Sequence, residues 1–588
     1  MSQTARITST KSRFGLQEAV NDHLSTDVLV VGGGVAGMYT AINVDRLGLS
    51  VLLVVKGLLG KSGVSPQAGI FTFPPEYTPE TFDQMVKDRI AGYAYFICDQ
   101  ELVRKSHELS PRALGDLEDL GLYFRRYDDG SLVIASMGGI QGGEMKQPWG
   151  TLATKWGNSG RNTCSVLRSE IVRRGVKFIE NATITSVLVK DGEAKGIVAL
   201  DYLNGKLLTI TAKSVILATG PGASIWTYYS GSSENTGDGH AVALRAGAEL
   251  SSMEMVQWHM ACLAWPYSLR RQEAYPFPLP PSQQAPRFFI GRQERFMPDA
   301  EVGSKALQAN AVAQAIIKGA VNRRGGYYAS YQHFSTKDLK EFLGPFLMLK
   351  RLGYDLSKDT IECAMSIYSI YGGIRVNTEC ETKIKGLYAA GGAAGPIIPG
   401  LYMSLATGII AAESAANRAR AIELPDLDLE QAEREKARVL NLLKVRTANE
   451  SSYSPMQIKK ILREVMWEKM DFIKTETGMK ECLERLRAIR LEMLPKMRVR
   501  SDTTRFNVEW LDAVELLNMF DLAEVVIASS LMRKESRGPF RRADFPAIDD
   551  KNWLVFILAR MQNSSITLDT APIELKYAKP SDRFEWKH

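Results

Sequence analysis

The sequence predicts an α/β fold, in which distant parts of the chain contribute strands to one parallel sheet and a helical bundle follows. Within 27–55, an apolar run, a glycine-rich turn, a helical pattern and a second apolar run follow one another. Two later apolar runs, 214–218 and 386–390, each end in small residues, as strands that return to the same sheet do. Residues 428–534 are rich in Leu, Glu, Lys, Arg and Met at helical spacing, which indicates three or four packed helices.

Composition and charge exclude several classes of protein. The chain has 588 residues with 73 basic and 66 acidic side chains, and its net charge of +7 is too diffuse to predict nucleic-acid binding. None of the six cysteines lies at CxxC spacing, so we expect no iron–sulfur cluster or zinc site within the chain. The N terminus is polar, and no apolar run reaches the roughly 18 residues of a membrane helix. We therefore expect a cytoplasmic protein with free thiols and no direct membrane span.

The first unit carries a glycine fingerprint. The glycines with GxGxxG spacing are Gly32, Gly34 and Gly37. The first permits a tight turn, the second lets the backbone approach a pyrophosphate, and the third lets the helix pack closely on the strand. The backbone amides of Val35 and Ala36 then face the phosphates at the helix N terminus. The unit predicts a Rossmann-like dinucleotide site.

The end of the second apolar run departs from the usual dinucleotide-binding pattern. An acidic residue normally stands there and holds a ribose hydroxyl. This sequence has Val55 and Lys56 instead. We therefore expect the ribose to be held in another way.

The segments between these units have their own patterns. Residues 77–125 predict helices, and 177–217 predict antiparallel strands that return to a buried strand. The stretch 265–300, which contains PFPLPP, predicts a long surface loop. Two further helices are predicted over 303–320 and 336–352.

The two later returns to the sheet favour FAD over NAD. The small residues that end these strands are Thr219, Gly220, Gly391 and Gly392. Two returns, about 180 and about 350 residues after the glycine turn, are typical of FAD-binding folds. A helix that begins near Ser404 would direct its positive end at the flavin N1–C2=O edge and stabilise the negative charge of a reduced flavin.

Several distinctive motifs occur in order along the chain. They are TGDG (236–239), MEMVQWH (253–259), ERFM (294–297), GGI (372–374), GLYAAG (386–391) and RKESRG (533–538). With them the sequence, from about 25 to 560, resembles the flavoprotein subunits of succinate dehydrogenase and fumarate reductase. Adenylylsulfate reductase and L-aspartate oxidase are relatives of that family.

The resemblance implies a domain order and a set of FAD contacts. The segments are an N-terminal arm (1–25), a Rossmann-like FAD-binding domain (26–239 and 371–425) interrupted by an α+β capping domain (240–370), a helical bundle domain (426–540) and a C-terminal tail (541–588). Substrate is expected between the cap and the flavin. The residues predicted to contact FAD are Gly32, Gly34, Val35, Ala36, Gly37, Lys56, Ser62, Gly63, Gln67, Thr219, Gly220, Asp238, Gly391, Gly392, Ser404 and Leu405.

The resemblance also implies catalytic residues. His259 falls on the family's substrate-binding histidine, and Tyr368 stands where the dicarboxylate enzymes have a second histidine. Arg324 falls near the arginine that acts as general acid in fumarate reductases, with Arg323 as the competing position. An arginine acts as an acid only beside a developing carbanion, since its pKa lies above about 12. The implied reaction is the reduction of an activated C=C bond, or its reverse.

Two departures separate the sequence from the dicarboxylate enzymes. Their substrate-clamping arginine, in an HGANR segment, has no counterpart in 400–404, and its loss should weaken carboxylate binding. Fumarate and succinate are therefore disfavoured as natural substrates. Gly63 follows Ser62 where those enzymes attach flavin covalently to a histidine, so FAD is expected to be non-covalent, as in the adenylylsulfate branch.

Two alternative functions stay open at this point. One is adenylylsulfate reductase-like redox chemistry on a sulfur or nucleotide-linked substrate. The other is a non-catalytic flavoprotein subunit whose substrate site has decayed.

The electron partner that the resemblance implies is a ferredoxin-like iron–sulfur subunit. The resemblance also leaves a higher oligomer possible. Basic residues of the bundle either attract such a partner or form ordinary solvated helix faces. These residues are Lys459, Lys460, Arg485, Arg487, Arg490, Arg498 and Arg500.

Overall fold

The computed structural model describes residues 23–68, 71–73, 78–126, 128–132, 134–135, 150–152, 154, 159–265, 286–291, 294–297, 305–342, 346–397, 400–443 and 452–583. Most of the predicted N-terminal arm lies outside the described residues. The PFPLPP segment does so as well.

The strands within this part of the chain are β1 (His23–Val31), β2 (Val51–Val54), β3 (Phe71–Phe73), β4 (Ile134–Ala135), β5 (Gly150–Leu152), β6 (Lys177–Ile179), β7 (Ala182–Lys190), β8 (Glu193–Asp201), β9 (Lys206–Leu217), β10 (Leu250–Ser251), β11 (Val256–Leu263), β12 (Arg287–Ile290), β13 (Glu294–Arg295), β14 (Tyr327–Ser330), β15 (Thr360–Ile370), β16 (Gly373–Arg375), β17 (Leu387–Ala389), β18 (Ala394–Gly395), β19 (Ile473–Lys474), β20 (Arg541–Arg542), β21 (Val555–Gln562) and β22 (Ser565–Pro572).

The α-helices within the same ranges are α1 (Val35–Arg46), α2 (Pro79–Asp88), α3 (Gln100–Glu108), α4 (Ser110–Asp119), α5 (Ser159–Arg174), α6 (Asp238–Arg245), α7 (Lys305–Ile317), α8 (Thr336–Phe342), α9 (Phe346–Arg351), α10 (Leu401–Ala421), α11 (Leu429–Asn441), α12 (Pro455–Lys469), α13 (Glu476–Glu492), α14 (Val508–Met532) and α15 (Asp550–Trp553). A π-helix over Arg89–Tyr93 continues α2.

The central sheet unites the apolar runs that the sequence marks as buried strands. The described strands pair in the order β6-β2-β1-β9-β8-β7, and β17 also pairs with β9. β1 runs parallel to β2 and β9, and β17 runs parallel to β9. Helices α1 and α10 pack on this sheet and on each other, where the Thr40 hydroxyl donates to the Gly408 carbonyl at 3.2 Å. The predicted α/β fold is confirmed.

The segment 177–190 differs from its prediction as part of an antiparallel set. Asn181, with a φ of +58°, divides it into two strands. β6 pairs in parallel with β2, whereas β7 pairs antiparallel with β8. A residue in the left-handed region redirects the chain, and asparagine tolerates that conformation better than most residues do.

A second sheet lies within the range predicted for the cap. Its antiparallel strands pair in the order β11-β15-β14-β12-β13 among the described residues. Two of them, β12 and β13, fall inside the stretch 265–300, so the prediction of a surface loop is wrong there. The sequence Arg287–Ile290 pairs with β14 along its whole length, which satisfies its backbone groups.

The C-terminal region combines a bundle with a hairpin. Helices α12, α13 and α14 pack on one another as the predicted bundle. Helix α11 packs on β7 and β8, and its Val439 carbonyl accepts a hydrogen bond from the Trp510 indole of α14 at 2.9 Å. Residues 541–583 are not a separate tail, because β21 and β22 form a hairpin that joins β10. Asn563 and Ser564 take the positive φ values of a two-residue hairpin turn. No helix in the described part of the chain is long and apolar enough to span a membrane.

Candidate active site

A cavity opens at the carboxyl ends of the parallel strands, where open α/β sheets bind their ligands. It contains about 1150 Å³ of empty space, part of it open to solvent. Its walls come from the glycine turn after β1, the ends of β2 and β9, the start of β7, the turn before α6 and the first turn of α10. The predicted FAD contacts that line it are Gly32, Gly34, Ala36, Lys56, Ser62, Gly63, Thr219, Gly220, Asp238, Gly392 and Ser404.

Five other predicted contacts are outside this lining. They are Val35, Gly37, Gln67, Gly391 and Leu405. The Val35 amide donates to Ser65 Oγ at 3.1 Å, and Ser65 itself lines the cavity. Gln67 is exposed, and Leu405 is buried inside α10. The role of these five in binding FAD stays a prediction.

The glycine turn has the close backbone approaches that its spacing predicts. Gly32 has a φ of +123°, and a Cβ at this position would stand 2.2 Å from the Ala218 carbonyl oxygen. A Cβ at Gly37 would stand 1.9 Å from the Gly32 carbonyl oxygen. No other amino acid fits at these two positions without moving backbone. The turn therefore keeps the first turn of α1 open toward a ligand's phosphates.

Two buried polar atoms in the cavity wall point to a bound ligand. Thr219 Oγ1 and Asn235 Oδ1 have no hydrogen-bond partner among the described residues. Buried polar atoms in folded proteins nearly always have a partner. The glycine cradle and these two atoms fit a dinucleotide such as FAD.

Lys56 is held in a network of carboxylates at one end of the cavity. Its Nζ lies 2.7 Å from Asp238 Oδ2 and also contacts the carboxylate of Glu515 on α14. Lys459 on α12 contacts Glu515 as well, and it lies 2.5 Å from Asp512. Burial alone lowers the pKa of Lys56, but the two carboxylates outweigh it and raise the pKa above its ordinary value. The network joins the sheet domain to the bundle.

This network changes the interpretation of the bundle's basic residues. The Lys459 side chain is only 2% exposed, so it is unavailable to a partner protein. Arg490 pairs with Asp521 at 2.9 Å, and Arg487 pairs with Glu524 at 2.8 Å. The predicted basic surface is wrong for Lys459, because that charge is neutralised inside the protein.

Tyr368 and Ser369 of the second sheet also line the cavity. In the pairing of β11 with β15, Gln257 is opposite Ser369 but Trp258 is opposite Ile367. Tyr368 is therefore the extra residue of a β-bulge. A bulge redirects a side chain out of the regular alternation, which is why two consecutive residues line one cavity.

The imidazole ring of His259 packs against the ring of Tyr368. The two rings stack, with their centroids 4.2 Å apart and an interplanar angle of 16°. His259 is 5% exposed, and its Nδ1 lies 3.5 Å from Ser230 Oγ. The structure thus brings together two of the three predicted catalytic residues, with Tyr368 in the cavity wall and His259 beside it.

Arg324, the third predicted catalytic residue, is not part of the FAD cavity lining. Its side chain is 62% exposed and lies 3.6 Å from the Glu468 carboxylate. It lines a second cavity between cap and bundle that shares no lining residue with the first. The neighbouring Arg323 contacts Asp471 and stacks over the Trp467 ring. Neither arginine faces Tyr368, because the turn before β14 directs both toward α12.

The first turn of α10 forms another part of the cavity wall. The helix begins at Leu401, three residues before the expected position, and Gly400, Leu401 and Ser404 line the cavity. Tyr402 in this turn accepts a hydrogen bond from the buried Arg89 guanidinium at 2.8 Å. This contact fixes the helix start, whose partial positive charge faces the cavity.

Sequence reasoning missed several residues of the lining. They include Ser65, Glu234, Asn235 and Ser369. Asn235 directly precedes the TGDG motif and Ser65 closely follows the Ser-Gly pair, so proximity to a motif is the one signal that points to them.

Comparisons with known proteins agree with this geometry. A family model described as FAD binding domain matches residues 27–409, and one described as fumarate reductase flavoprotein C-term matches 459–584. The chain is 30% identical over 545 residues to a fumarate reductase (CoM/CoB) subunit of Methanothermobacter marburgensis, covering 88% of this chain and 94% of the relative. It is 26% identical over 592 residues to the fumarate reductase flavoprotein subunit of Haemophilus influenzae, covering 95% and 96% of the two chains.

Two solved structures share the fold. An E. coli quinol fumarate reductase chain superposes with a TM-score of 0.84 at 23% identity, covering 95% of this chain and 98% of that one. Adenylylsulfate reductase from Archaeoglobus fulgidus superposes with a TM-score of 0.75 at 19% identity, covering 98% and 99%. The predicted FAD cofactor and oxidoreductase class are confirmed, and the chain belongs to the family of FAD-dependent flavoprotein subunits of fumarate reductase and succinate dehydrogenase.

Proposed function

We propose that this protein reduces the activated C=C bond of a small substrate, using electrons delivered by an iron–sulfur partner. The observation that carries this proposal is the position of Tyr368 in the wall of the FAD cavity. A cap residue in this wall gives the substrate a place between cap and cofactor. Bound FAD supplies hydride transfer at its N5.

The protein's own groups have distinct roles in this proposal. Tyr368 and Ser369, which line the cavity from the cap, would contact the substrate. The N terminus of α10, which also lines the cavity, would stabilise the negative charge of a reduced flavin. His259 is a positioning residue, since its ring stacks on Tyr368 and does not line the cavity.

We assign the proton to Tyr368. Among the described lining residues, it is the titratable side chain contributed by the cap. One substrate carbon would receive the hydride and the other the Tyr368 hydroxyl proton, which solvent then replaces. Arg324 has no part in this step, because its exposed guanidinium is beside Glu468.

A single hydroxyl deletion tests the assignment. Y368F keeps the ring that stacks on His259 but removes the proton, so turnover should fall by about 10²–10⁴-fold while FAD stays bound. Y328F is the matched control, because Tyr328 is in strand β14 of the same sheet and outside the cavity lining. Equal turnover of the two variants would contradict the role of Tyr368.

We propose a dissociable FAD. Gly63 lines the cavity with a φ of +79°, so the position that bears the flavin-linked histidine in dicarboxylate enzymes has no side chain here. Acid precipitation should release all the yellow colour into the supernatant. Colour that stays with the precipitate would contradict a non-covalent cofactor.

The same glycine favours one second candidate. Ser62 and Gly63 match the Ser-Gly of the adenylylsulfate branch, and both line the cavity. A sulfur or nucleotide-linked substrate is therefore the alternative to an enoate.

We propose assembly with a ferredoxin-like iron–sulfur subunit in the cytoplasm. The supporting observation is that the relatives are themselves named subunits. Native protein isolated from its source should elute larger than 65.2 kDa and carry iron. A lone flavoprotein without iron would contradict the proposal.

A further inference from the structure

We propose that Glu234 binds the adenosine ribose of FAD, replacing the acidic residue that usually ends the second strand of a dinucleotide-binding unit. The ribose of a bound dinucleotide lies over the carboxyl end of that strand. Here the Gly32 amide donates to the Val54 carbonyl at 2.8 Å, so the end of β2 is directly beside the glycine turn. The acid that usually holds the ribose would stand at this place, and β2 is followed by Val55 and Lys56 instead.

The two residues that follow β2 are committed to other contacts. Val55 is buried, and its side chain fills the space where a Cβ of Gly33 would stand. The Lys56 ammonium is directed at Asp238 and Glu515. Neither side chain is available to a ribose hydroxyl.

The Glu234 carboxylate reaches the same place from another part of the chain. Both of its oxygens lie close to the end of β2, at 2.8 and 2.9 Å from the point where a Cβ of Gly57 would stand. Ser62 Oγ lies 3.0 Å from that point. Glu234 lines the cavity together with 182–184, the start of β7. Glycine at 57 thus leaves room for a carboxylate that comes from the turn before α6.

Lys56 holds this turn in position. Its Nζ donates to the Glu234 carbonyl at 2.8 Å and to Thr236 Oγ1 at 2.6 Å. The lysine that stands in place of the usual acid therefore fixes the backbone of the residue that supplies the acid. The Glu234 carbonyl also accepts from the Thr236 amide at 2.9 Å, which tightens the turn.

A neighbouring side chain independently points to a ligand at this turn. Asn235 is 4% exposed, lines the cavity, and leaves its Oδ1 without a partner among the described residues. Buried amide oxygens rarely remain unpaired. The turn thus presents an amide and a carboxylate to one occupant.

The chemistry matches a ribose with free 2′ and 3′ hydroxyls. An ionised carboxylate only accepts hydrogen bonds, and its two oxygens can accept one from each hydroxyl of a vicinal diol. Such charge-assisted bonds are about twice as strong as neutral ones.

The test measures the release of flavin from the holoprotein, and it rests on the proposed dissociable FAD. E234A should raise the dissociation constant for FAD about tenfold to a hundredfold, as expected for loss of hydrogen bonds to a charged group. E234Q keeps one acceptor oxygen, so its dissociation constant for FAD should lie between those of E234A and the unaltered protein. E464A is the matched control, because Glu464 lines the second cavity and should leave FAD binding unchanged.

An FAD analogue without the ribose hydroxyls identifies the contact. The 2′,3′-dideoxyadenosine analogue of FAD is exchanged into the holoprotein. The E234A variant and the unaltered protein should then bind this analogue with equal affinity. An equal loss for FAD and for the analogue would overturn the proposal, as would a change in FAD affinity below twofold. Flavin that stays in an acid precipitate would instead contradict the dissociable cofactor. In that case the melting temperature of the holoprotein provides the readout, and E234A but not E464A should lower it.

Discussion

Removing the Lys459 ammonium should destabilise the protein, because this ammonium neutralises the buried carboxylates of Asp512 and Glu515. In K459M the Asp512 carboxylate, 2.5 Å from Lys459 Nζ, loses its cation inside the protein. Breaking a buried pair by removing one partner costs about 3–5 kcal/mol. The entropy of unfolding is about 2.1 cal/mol/K per residue, or about 1.2 kcal/mol/K over 588 residues. The melting temperature should therefore fall by at least about 2.5–4 °C, and by more if the cooperative unit is smaller.

The adjacent lysine provides the control for this experiment. Lys460 is 76% exposed and lies 3.9 Å from Glu464, so K460M should cost no more than about 0.5 kcal/mol, or about 0.4 °C. Both variants are measured as holoproteins by scanning calorimetry at pH 7. In K459M/D512N the stranded charge is gone, and part of the lost stability should return. Equal shifts in K459M and K460M would refute the reasoning.

Three further outcomes are expected. R324A should keep turnover within about twofold, because the guanidinium faces solvent and Glu468; a loss above tenfold in a steady-state assay would restore its role as acid. Burial raises the pKa of Glu515, but the ammonium groups of Lys56 and Lys459 hold that pKa below its ordinary value of 4.5. The resulting stability is present above pH 4.5 and is lost as the pH falls through the lower folded pKa. E515Q should therefore reduce the fall in melting temperature with decreasing pH below 4.5, and an unchanged slope would count against the network. G37A places a Cβ 1.9 Å from a backbone oxygen and should weaken FAD binding at least about tenfold in a fluorescence titration, whereas retained affinity would mean that the turn can move.

Much of the central domain could be predicted from the sequence. Local periodicity and the glycine spacing decide the structure of 27–55, and β1, α1 and β2 appear where the pattern places them. Parallel strands appear in the sequence as continuous apolar runs, because both faces of their sheet are buried. The later strand β17 follows the same rule.

The cap end of the site could not be predicted in the same way. The direction of Tyr368 depends on a one-residue register shift against β11, which leaves no local signal in the sequence. The exposure of Arg324 depends on the path of the turn before β14 and on the approach of α12. Both are tertiary properties that propensity and spacing do not encode.

The proposed ribose contact could be predicted only in part from the sequence. The missing acid after β2 is visible in the sequence, but its replacement by Glu234 depends on two loops that meet only in the folded protein. The hairpin of β21 and β22 likewise joins β10 across about 300 residues, and such long-range pairing is not visible in a single sequence.

The most direct test of the proposed function is an anaerobic reoxidation experiment. The bound flavin is reduced without oxygen, and flavin absorbance is followed after addition of fumarate or of enoates with a single carboxylate. Rapid return of the oxidised spectrum with at least one enoate is the predicted result. A flavin that stays bleached with every enoate, while AMP and sulfite reduce the oxidised protein, would contradict C=C reduction and establish the sulfur chemistry instead.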